Sequence, residues 1–486
     1  MLQNNMVCVR GEAMDFKRKF FFNLSYAIVA QLVAMIISVG VNLILPKFLD
    51  VKNYSYWQLF IFYSQYIPFL HLGLNDGVYL RYGGITYGKM NKNIIKSQML
   101  LGYLFQFLFC IILCICSSLL VTEHNRILTI ILACTFFLFY TVQNYMGYIF
   151  QAANETSWYS KSMILNRLSF LVIMFICLLG KMYICWPYIY GYIIAQIVSL
   201  VYSGVKGREI LYAQLCGFKN TIREMLQSIN VGSKLMFANI ASMLVLGSGR
   251  FIVDQKWGIE SFGRFSFALS LCNFFLLFIG QVSMVLFPAL RQTDHKTMRQ
   301  LYSSIRDGLS IFLSGILLFY LPIKFVLGIW LPQYQESLEY MAILLPLCTF
   351  DGQMQMLSNT YLQVLRKERV LLYINILSFV LSISLALVGA YILNNIYAII
   401  ISMVVAIAFR SIISEMYLSK LLRFSFVKGL LWECSLSILF VSLSWFANSA
   451  VGFMIYLVAY IFYLGTNRQK IVGLFVKYRN SLISNL

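Results

Sequence analysis

The stretch that decides the fold is GSKLMFANIASMLVLGSGRFIVD, residues 232–254. An apolar run of this length can cross a lipid bilayer as one α-helix, since a crossing takes about 20 residues. The run nevertheless contains Asn239, Arg250 and Asp254, and at 3.6 residues per turn Asn239 and Arg250 lie on nearly the same face. A charge at membrane depth costs roughly 2.5–3.5 kcal/mol or more, so these side chains are expected to face a partner or a water-filled cavity.

The whole chain has the composition of a membrane protein. Of its 486 residues, 60% are hydrophobic and only 12% are charged, and its mean hydropathy is +0.76. Repeated apolar runs of this kind indicate membrane spans. The net charge of +20 is also a feature of nucleic-acid-binding proteins, but here the basic residues fall in short loops between apolar runs, where positive charge orients membrane helices. We therefore expect no nucleic-acid partner.

The apolar segments predict an all-α integral membrane protein with about fourteen transmembrane helices. We place the spans at about 22–46, 56–80, 97–121, 127–150, 163–180, 183–204, 232–254, 262–289, 308–331, 338–364, 370–391, 395–418, 428–447 and 449–466. The predicted organisation is a cytoplasmic tail (1–20), an N-lobe of six helices (21–205), an amphipathic cytoplasmic connector (206–231), a C-lobe of six helices (232–418), and two extra helices with a short cytoplasmic tail (419–486).

The distribution of lysine and arginine gives an independent check on this topology. With both termini in the cytoplasm, 29 of the 38 basic residues fall in inner segments, as the positive-inside rule predicts. The basic residues assigned to the outer side are Lys47, Lys52, Arg126, Lys181, Arg250, Lys256, Arg264 and Lys324, and Arg410 lies within a span. The sequence therefore predicts a multi-pass protein with both termini inside.

The chain contains no recognisable catalytic, cofactor or metal motif. The GSGR segment at 247–250 lacks the Lys-Ser/Thr pair and the strand context of a nucleotide-binding loop. Cys110 and Cys114 lie four residues apart without a histidine or carboxylate nearby, so we interpret them as apolar packing. We therefore expect a protein that is not an enzyme and has neither a cofactor nor a metal.

Polar side chains recur at helical spacing inside several predicted spans. Stripes occur on predicted helices 1, 2 and 4, and again on helices 7, 8 and 10, which indicates two equivalent six-helix units around a shared polar cavity. The alternative is that these amides only hold helices together. The candidate substrate-binding amides are Gln31, Asn42, Gln65, Asn144, Asn239, Gln281, Gln355 and Asn359.

The charged residues within or near the spans each allow two interpretations. Arg250 and Asp254 form either a local salt bridge or part of the cavity, with Arg250 as a cation for an anionic substrate. Asp351, near the middle of its helix, either titrates a proton or ion, or pairs with a cavity cation. Arg81 and Lys234 either snorkel to the interface or form a basic mouth of the cavity.

The sequence also resembles a known family. Residues 23–84 contain an aromatic-rich segment and a Leu-Gly-Leu-Asn-Asp-Gly turn that leads to an Arg-Tyr pair, and GSGRFIVDQKWGIESFGRFSFALS is followed by VSMVLFPAL. These stretches resemble Wzx-type polysaccharide flippases of the multidrug/oligosaccharidyl-lipid/polysaccharide (MOP) exporter superfamily. The family often has Asp before the second-half arginine, where this chain has Gly249; by the resemblance Arg250 takes that arginine position.

The resemblance implies two six-helix lobes and a function in lipid transport. Such proteins are believed to move undecaprenyl-diphosphate-linked oligosaccharide across the bacterial cytoplasmic membrane by alternating access, for capsule or O-antigen synthesis. The implied partners are this lipid-linked oligosaccharide, membrane lipids and polysaccharide polymerase machinery. A multidrug or metabolite antiporter of the same superfamily and a lipid II flippase are alternatives. A membrane polymerase or ligase is disfavoured because the chain has no large outer loop.

Overall fold

The computed structural model describes residues 29, 31–291 and 295–468; between 281 and 296, it describes the side chains of residues 283, 286 and 290 alone. Within these ranges the chain is largely helical, because the apolar runs carry few helix-breaking residues. The helices are α1 (Gln31–Phe48), α2 (Val51–Tyr66), α3 (Leu74–Tyr82), α4 (Lys92–Leu120), α5 (His124–Ala152), α6 (Thr156–Leu179), α7 (Cys185–Lys206), α8 (Arg208–Leu211), α9 (Phe218–Arg291), α10 (His295–Ile316), α11 (Tyr320–Trp330), α12 (Gln335–Leu344), α13 (Pro346–Gln353), α14 (Thr360–Val364), α15 (Glu368–Leu387), α16 (Ile396–Leu422), α17 (Val427–Phe446) and α18 (Ser449–Thr466).

The apolar helices confirm the predicted all-α membrane architecture. Among the described residues, 11 helices are long and apolar enough to cross a membrane. One of them, Phe218–Gly280, contains the predicted span 232–254 and most of 262–289. The predicted spans 56–80 and 338–364 are instead divided into shorter helices. Within the described residues every predicted span therefore has a helical counterpart, although not each one is a single continuous α-helix.

Short polar side chains fix where several helices begin. Asp50 accepts a hydrogen bond from the backbone N–H of Asn53, and Asn91 caps α4 in the same way. Asn395 and Asn448 cap α16 and α18 through the backbone N–H groups two residues later. These caps satisfy N–H groups that the first helical turn leaves without partners, which matters most where water is scarce.

The long helix α9 is interrupted at a glycine. Gly258 has φ of +82° and ψ of −178°, a conformation that side-chain-bearing residues rarely adopt. This break lies in the predicted outer loop between the spans 232–254 and 262–289. At the other end, the helix already begins at Phe218, so the second half of the predicted connector 206–231 is continuous with the following span. No proline or glycine between 218 and 231 interrupts it.

The chain divides into two compact units, residues 1–240 and 241–486. In the first unit, aromatic side chains join four helices. Tyr192 on α7 lies 5.8 Å from Phe60 on α2, 5.2 Å from Phe136 on α5 and 5.1 Å from Phe170 on α6, between ring centroids. Trp57 stacks on Phe170 at 5.5 Å. This core fixes the scaffold of the first unit.

In the second unit, tyrosines attach the last two helices to α10. The hydroxyl of Tyr456 on α18 donates to the carbonyl of Ser314, and that of Tyr460 donates to the carbonyl of Ile311. Phe440 on α17 packs 5.5 Å from Tyr456 between ring centroids. Helices α17 and α18 are thus integral parts of the second unit.

Within the first unit, α3 and the beginning of α9 cross with direct backbone contact. Gly73 and Gly77 on one side meet Ser228 and Gly232 on the other. A Cβ placed on Gly77 would overlap the Ser228 carbonyl, and one on Gly232 would overlap the Gly73 carbonyl. Small residues four apart on both helices permit this approach, as in close crossings of membrane helices.

Candidate functional site

Asp351 on α13 is a deeply buried candidate residue. Its carboxylate pairs with the guanidinium of Arg410 on α16, and the two residues are only 5% and 4% exposed. Arg410 also donates to the Ser242 hydroxyl on α9, and Gln355 donates to the second Asp351 oxygen at 2.7 Å. One carboxylate and one guanidinium balance each other, so Asp351 is paired with a cation in this structure. That this cation belongs to a substrate cavity stays a prediction.

The predicted polar stripe from Asp351 onward does not continue on a regular α-helix. Residues Met354–Asn359 form a π-helical turn, which adds a residue to the turn and rotates the following side chains relative to Asp351. The carbonyl of Gln355 accepts from the hydroxyls of Ser283 and Thr360. Gln355 and Asn359, both half-buried, therefore lie on the distorted segment.

Arg250 lies on α9 in the second unit and is only partly buried. Its Nε donates to the Ser266 hydroxyl at 3.1 Å, and its guanidinium carbon lies 5.2 Å from the centroid of the Phe262 ring. Asp254, one turn later, is 4% exposed. Arg250 is thus oriented by a hydroxyl and an aromatic ring, and it remains more accessible than Arg410.

In the first unit, Arg81 is held by the start of α9. It donates to the Glu224 carboxylate at 2.6 Å, to the Glu224 carbonyl at 2.9 Å and to the Ser228 hydroxyl at 2.8 Å. These contacts lie beside the close crossing of α3 and α9, so the hydrogen bonds of Arg81 join the two helices there. Lys234, the other predicted mouth residue, is exposed.

The amide candidates occupy different environments. Gln65 and Asn239 are exposed, whereas Gln31, Asn42 and Asn144 are half-buried. Asn42 donates at 2.9 Å to the Ser38 carbonyl of its own helix. The side chain of Gln281 lies outside the described residues. The structure thus brings Gln355 to Asp351, and a substrate role for the other amides stays a prediction.

A network of buried amides joins α5, α6 and α7. It is an example of the alternative interpretation of the polar stripes, in which amides only hold helices together. Gln143 on α5 donates to the Ser162 hydroxyl on α6 at 3.1 Å and accepts from Gln196 on α7 at 3.4 Å. Asn166 donates to Gln196 at 2.8 Å. All four side chains are buried. The neighbouring candidate Asn144 projects from a different face of α5 and is not part of this network.

Sequence reasoning did not include Arg410 among the candidate residues. Its only signal was its position in the middle of an apolar run, since its partners Asp351 and Ser242 are 59 and 168 residues away. A charged residue at membrane depth needs a partner, so pairing the isolated Arg410 with the isolated Asp351 was the available inference.

Comparisons with known proteins agree with this architecture. A family model described as polysaccharide biosynthesis protein matches residues 20–294, more than half of the chain and including both stretches that carry the resemblance. A sequence search of curated proteins returned no match.

Solved transporter structures share the fold. The lipid II flippase MurJ in an inward closed conformation is similar at a TM-score of 0.68 and 13% identity, covering 91% of this chain and 99% of that chain. A multidrug resistance MATE family transporter of the MOP superfamily, in an inward-facing conformation, is similar at 0.57 and 12% identity, covering 87% and 98%. This chain therefore belongs to the polysaccharide biosynthesis protein family, and its fold is similar to that of these transporter structures.

Proposed function

We propose that this protein moves undecaprenyl-diphosphate-linked oligosaccharide from the inner to the outer leaflet of the bacterial cytoplasmic membrane, by alternating access. The observation that carries the proposal is the match of residues 20–294 to the polysaccharide biosynthesis family, in a chain whose described residues include 11 helices long and apolar enough to cross a membrane. A glycan cannot cross hydrocarbon unaided, because each unsatisfied polar group costs several kcal/mol there. A pathway that builds a surface polysaccharide, such as capsule or O-antigen, from an inner-leaflet precursor therefore needs a flippase.

In this proposal Arg250 binds the diphosphate. A guanidinium can donate two parallel hydrogen bonds to phosphate oxygens, which adds orientation as well as charge. Arg250 is a half-buried arginine of the second unit at the position that the family resemblance selects, whereas Arg410 and Arg306 are only 4% and 3% exposed. Its contacts with Ser266 and Phe262 limit the rotamers it samples, and thus lower the entropy lost on binding.

The topology in this proposal has both termini in the cytoplasm and the Arg81–Glu224 contact on the inner side. The loops on the opposite side are then short outer segments, and Gly258 lies in one of them. Coupling to an ion gradient belongs to the same proposal, since no nucleotide-hydrolysis motif is found in the sequence.

The proposal is tested by replacing Arg250 with Ala in cells that depend on this protein for surface polysaccharide. Losing a charge-assisted hydrogen bond of about 1.5–3 kcal/mol predicts a roughly 10- to 100-fold loss of export and accumulation of lipid-linked oligosaccharide in the inner leaflet. Arg250→Lys should restore part of the export, because it keeps the charge but not the bidentate geometry.

The matched control is Lys256→Ala, which removes an exposed cation on the same helix that lies over the Tyr391 ring. This variant should export normally. Equal export from wild type and the Arg250→Ala variant, at equal protein abundance, would contradict the assignment of Arg250 to the substrate.

A further inference from the structure

A second buried charge cluster lies in the C-terminal unit, on helices α10, α16 and α17. Arg306, Glu415 and Glu433 are 3%, 3% and 0% exposed. The Arg306 Nε donates to Glu415 Oε1, and Arg306 Nη2 donates to Glu415 Oε2 at 3.3 Å. The same Nη2 lies 3.5 Å from Glu433 Oε1. One guanidinium thus serves two carboxyl groups, in contrast to the balanced pair of Asp351 and Arg410.

The two carboxyl groups are bound differently. Glu415 receives two hydrogen bonds from Arg306, in the bidentate geometry that suits an ionised carboxylate. Glu433 Oε1 accepts from Gln353 at 2.6 Å, and the Ser310 hydroxyl also lies close enough to interact with the Glu433 carboxyl group. Glu433 Oε2 is fully buried and accepts no hydrogen bond of good geometry from the described residues. The hydroxyl of Ser437, one helical turn along α17, is likewise buried without a partner.

The surroundings add negative rather than positive charge. Asp307 interacts electrostatically with both Glu415 and Glu433. The hydroxyls of Tyr302 and Tyr463 and the Cys434 thiol also interact electrostatically with the cluster, and none of them carries positive charge. Gly429 packs directly against the Arg306 guanidinium, so the backbone of α17 leaves no room there for a further side chain. Among the residues that the structure describes, Arg306 is the one fixed cation in contact with these two buried carboxyl groups.

A buried carboxylate that lacks its own counter-charge is costly, and a carboxyl group in that position binds a proton instead. We propose that Glu433 Oε2 is a proton-binding site, occupied when the helices are packed as in this structure and emptied when a movement of α17 exposes the carboxyl group to water. The proton site is a property of this helix packing, while its use to couple a proton gradient to lipid export rests on the proposed function.

The experiment is infrared spectroscopy of the purified full-length protein in lipid nanodiscs, across a pH titration. A protonated carboxyl group gives a carbonyl stretching band that an ionised one lacks. Wild type should show such a band at neutral pH. In Glu433→Gln the intensity of that band should fall by the contribution of one carboxyl group. In Glu415→Gln it should fall by the same amount, because Glu433 then becomes the sole counter-ion of Arg306 and ionises. Asp351→Asn, outside the cluster, should keep the band.

Four results would overturn the inference: no protonated band in wild type, an unchanged band in Glu433→Gln, an unchanged band in Glu415→Gln, or loss of the band on adding sodium at constant pH. The last result would assign the site to a metal cation. Glu433→Gln should also keep the wild-type thermal stability, since an amide has the shape of a protonated carboxyl group. The infrared result does not depend on transport, so failure of the proposed lipid export would leave it standing.

Discussion

The pair formed by Asp351 and Arg410 makes a quantitative prediction about stability. Asp351→Ala leaves the Arg410 guanidinium, which is 4% exposed, with the neutral Ser242 hydroxyl as its partner among the described residues. Breaking a buried ion pair on one side costs about 3–5 kcal/mol, because the remaining charge stays buried and uncompensated. We therefore expect the free energy of unfolding of the purified protein to fall by about 3–5 kcal/mol in this variant.

The assay is unfolding of the purified protein in mixed micelles by titration with a denaturing detergent. The double variant Asp351→Ala/Arg410→Met removes both charges and should recover most of the loss, so the two single effects should not add. The matched control is the pair Arg264 and Glu336, which lies in the same unit at 2.9 Å but is 26% and 52% exposed. Glu336→Ala should cost about 0–1 kcal/mol. Equal losses in the two ion pairs, with additive effects of Asp351 and Arg410, would refute the interpretation of Asp351 as a counter-ion.

Two further predictions concern the first unit. Gly77→Leu should prevent the close crossing of α3 with α9, so the protein should fail to fold and should be digested in a protease-resistance assay. The control Gly88→Ala, with open space around its Cβ position, should be as resistant as wild type. A resistant Gly77→Leu variant would show that the crossing is dispensable. Burial raises the pKa of Glu123, but hydrogen bonds from Tyr56 and Arg126 outweigh burial and hold the pKa below the usual range. The ionised Glu123 therefore stabilises the folded protein. This contribution to the free energy of unfolding should be fully present above the ordinary glutamate pKa of about 4.3, and it should be lost as the pH falls through the lower folded value. Thermal unfolding against pH measures it, and an unchanged pH profile in Glu123→Gln would contradict it.

The helical architecture was predictable because it depends on local composition. The length of each apolar run, about 20 residues, gives the span without knowledge of its neighbours. The two predicted spans on either side of Gly258 were separated correctly, because Lys256 and the glycine interrupt the apolar pattern. The π-helical turn at Met354–Asn359 was not predictable from local composition. The neighbouring Gly352 lies close to Ile279 and Leu313, side chains that are distant in the sequence.

The candidate site was only partly predictable, because its partners come from distant segments. Isolated charges in apolar runs identified Asp351 as unusual, and the same argument applied to Glu415 and Glu433 would have found the second cluster. Which cation pairs with which carboxylate could not be read from spacing, since the residues concerned are 59 and 109 positions apart. Asn42 shows the opposite case, in which a predicted polar contact is satisfied by the residue's own helix.

The central claim is lipid-linked oligosaccharide transport, and reconstitution of the purified protein into liposomes tests it most directly. The liposomes contain undecaprenyl-diphosphate-linked oligosaccharide in one set and lipid II in another, and a membrane-impermeant glycan-modifying enzyme outside reports how much substrate reaches the outer leaflet. We expect the accessible fraction of the oligosaccharide lipid to rise above that of protein-free liposomes, and Arg250→Ala to reduce this rise. Accessibility of the oligosaccharide lipid equal to that of protein-free liposomes, with lipid II flipped efficiently, would contradict the account.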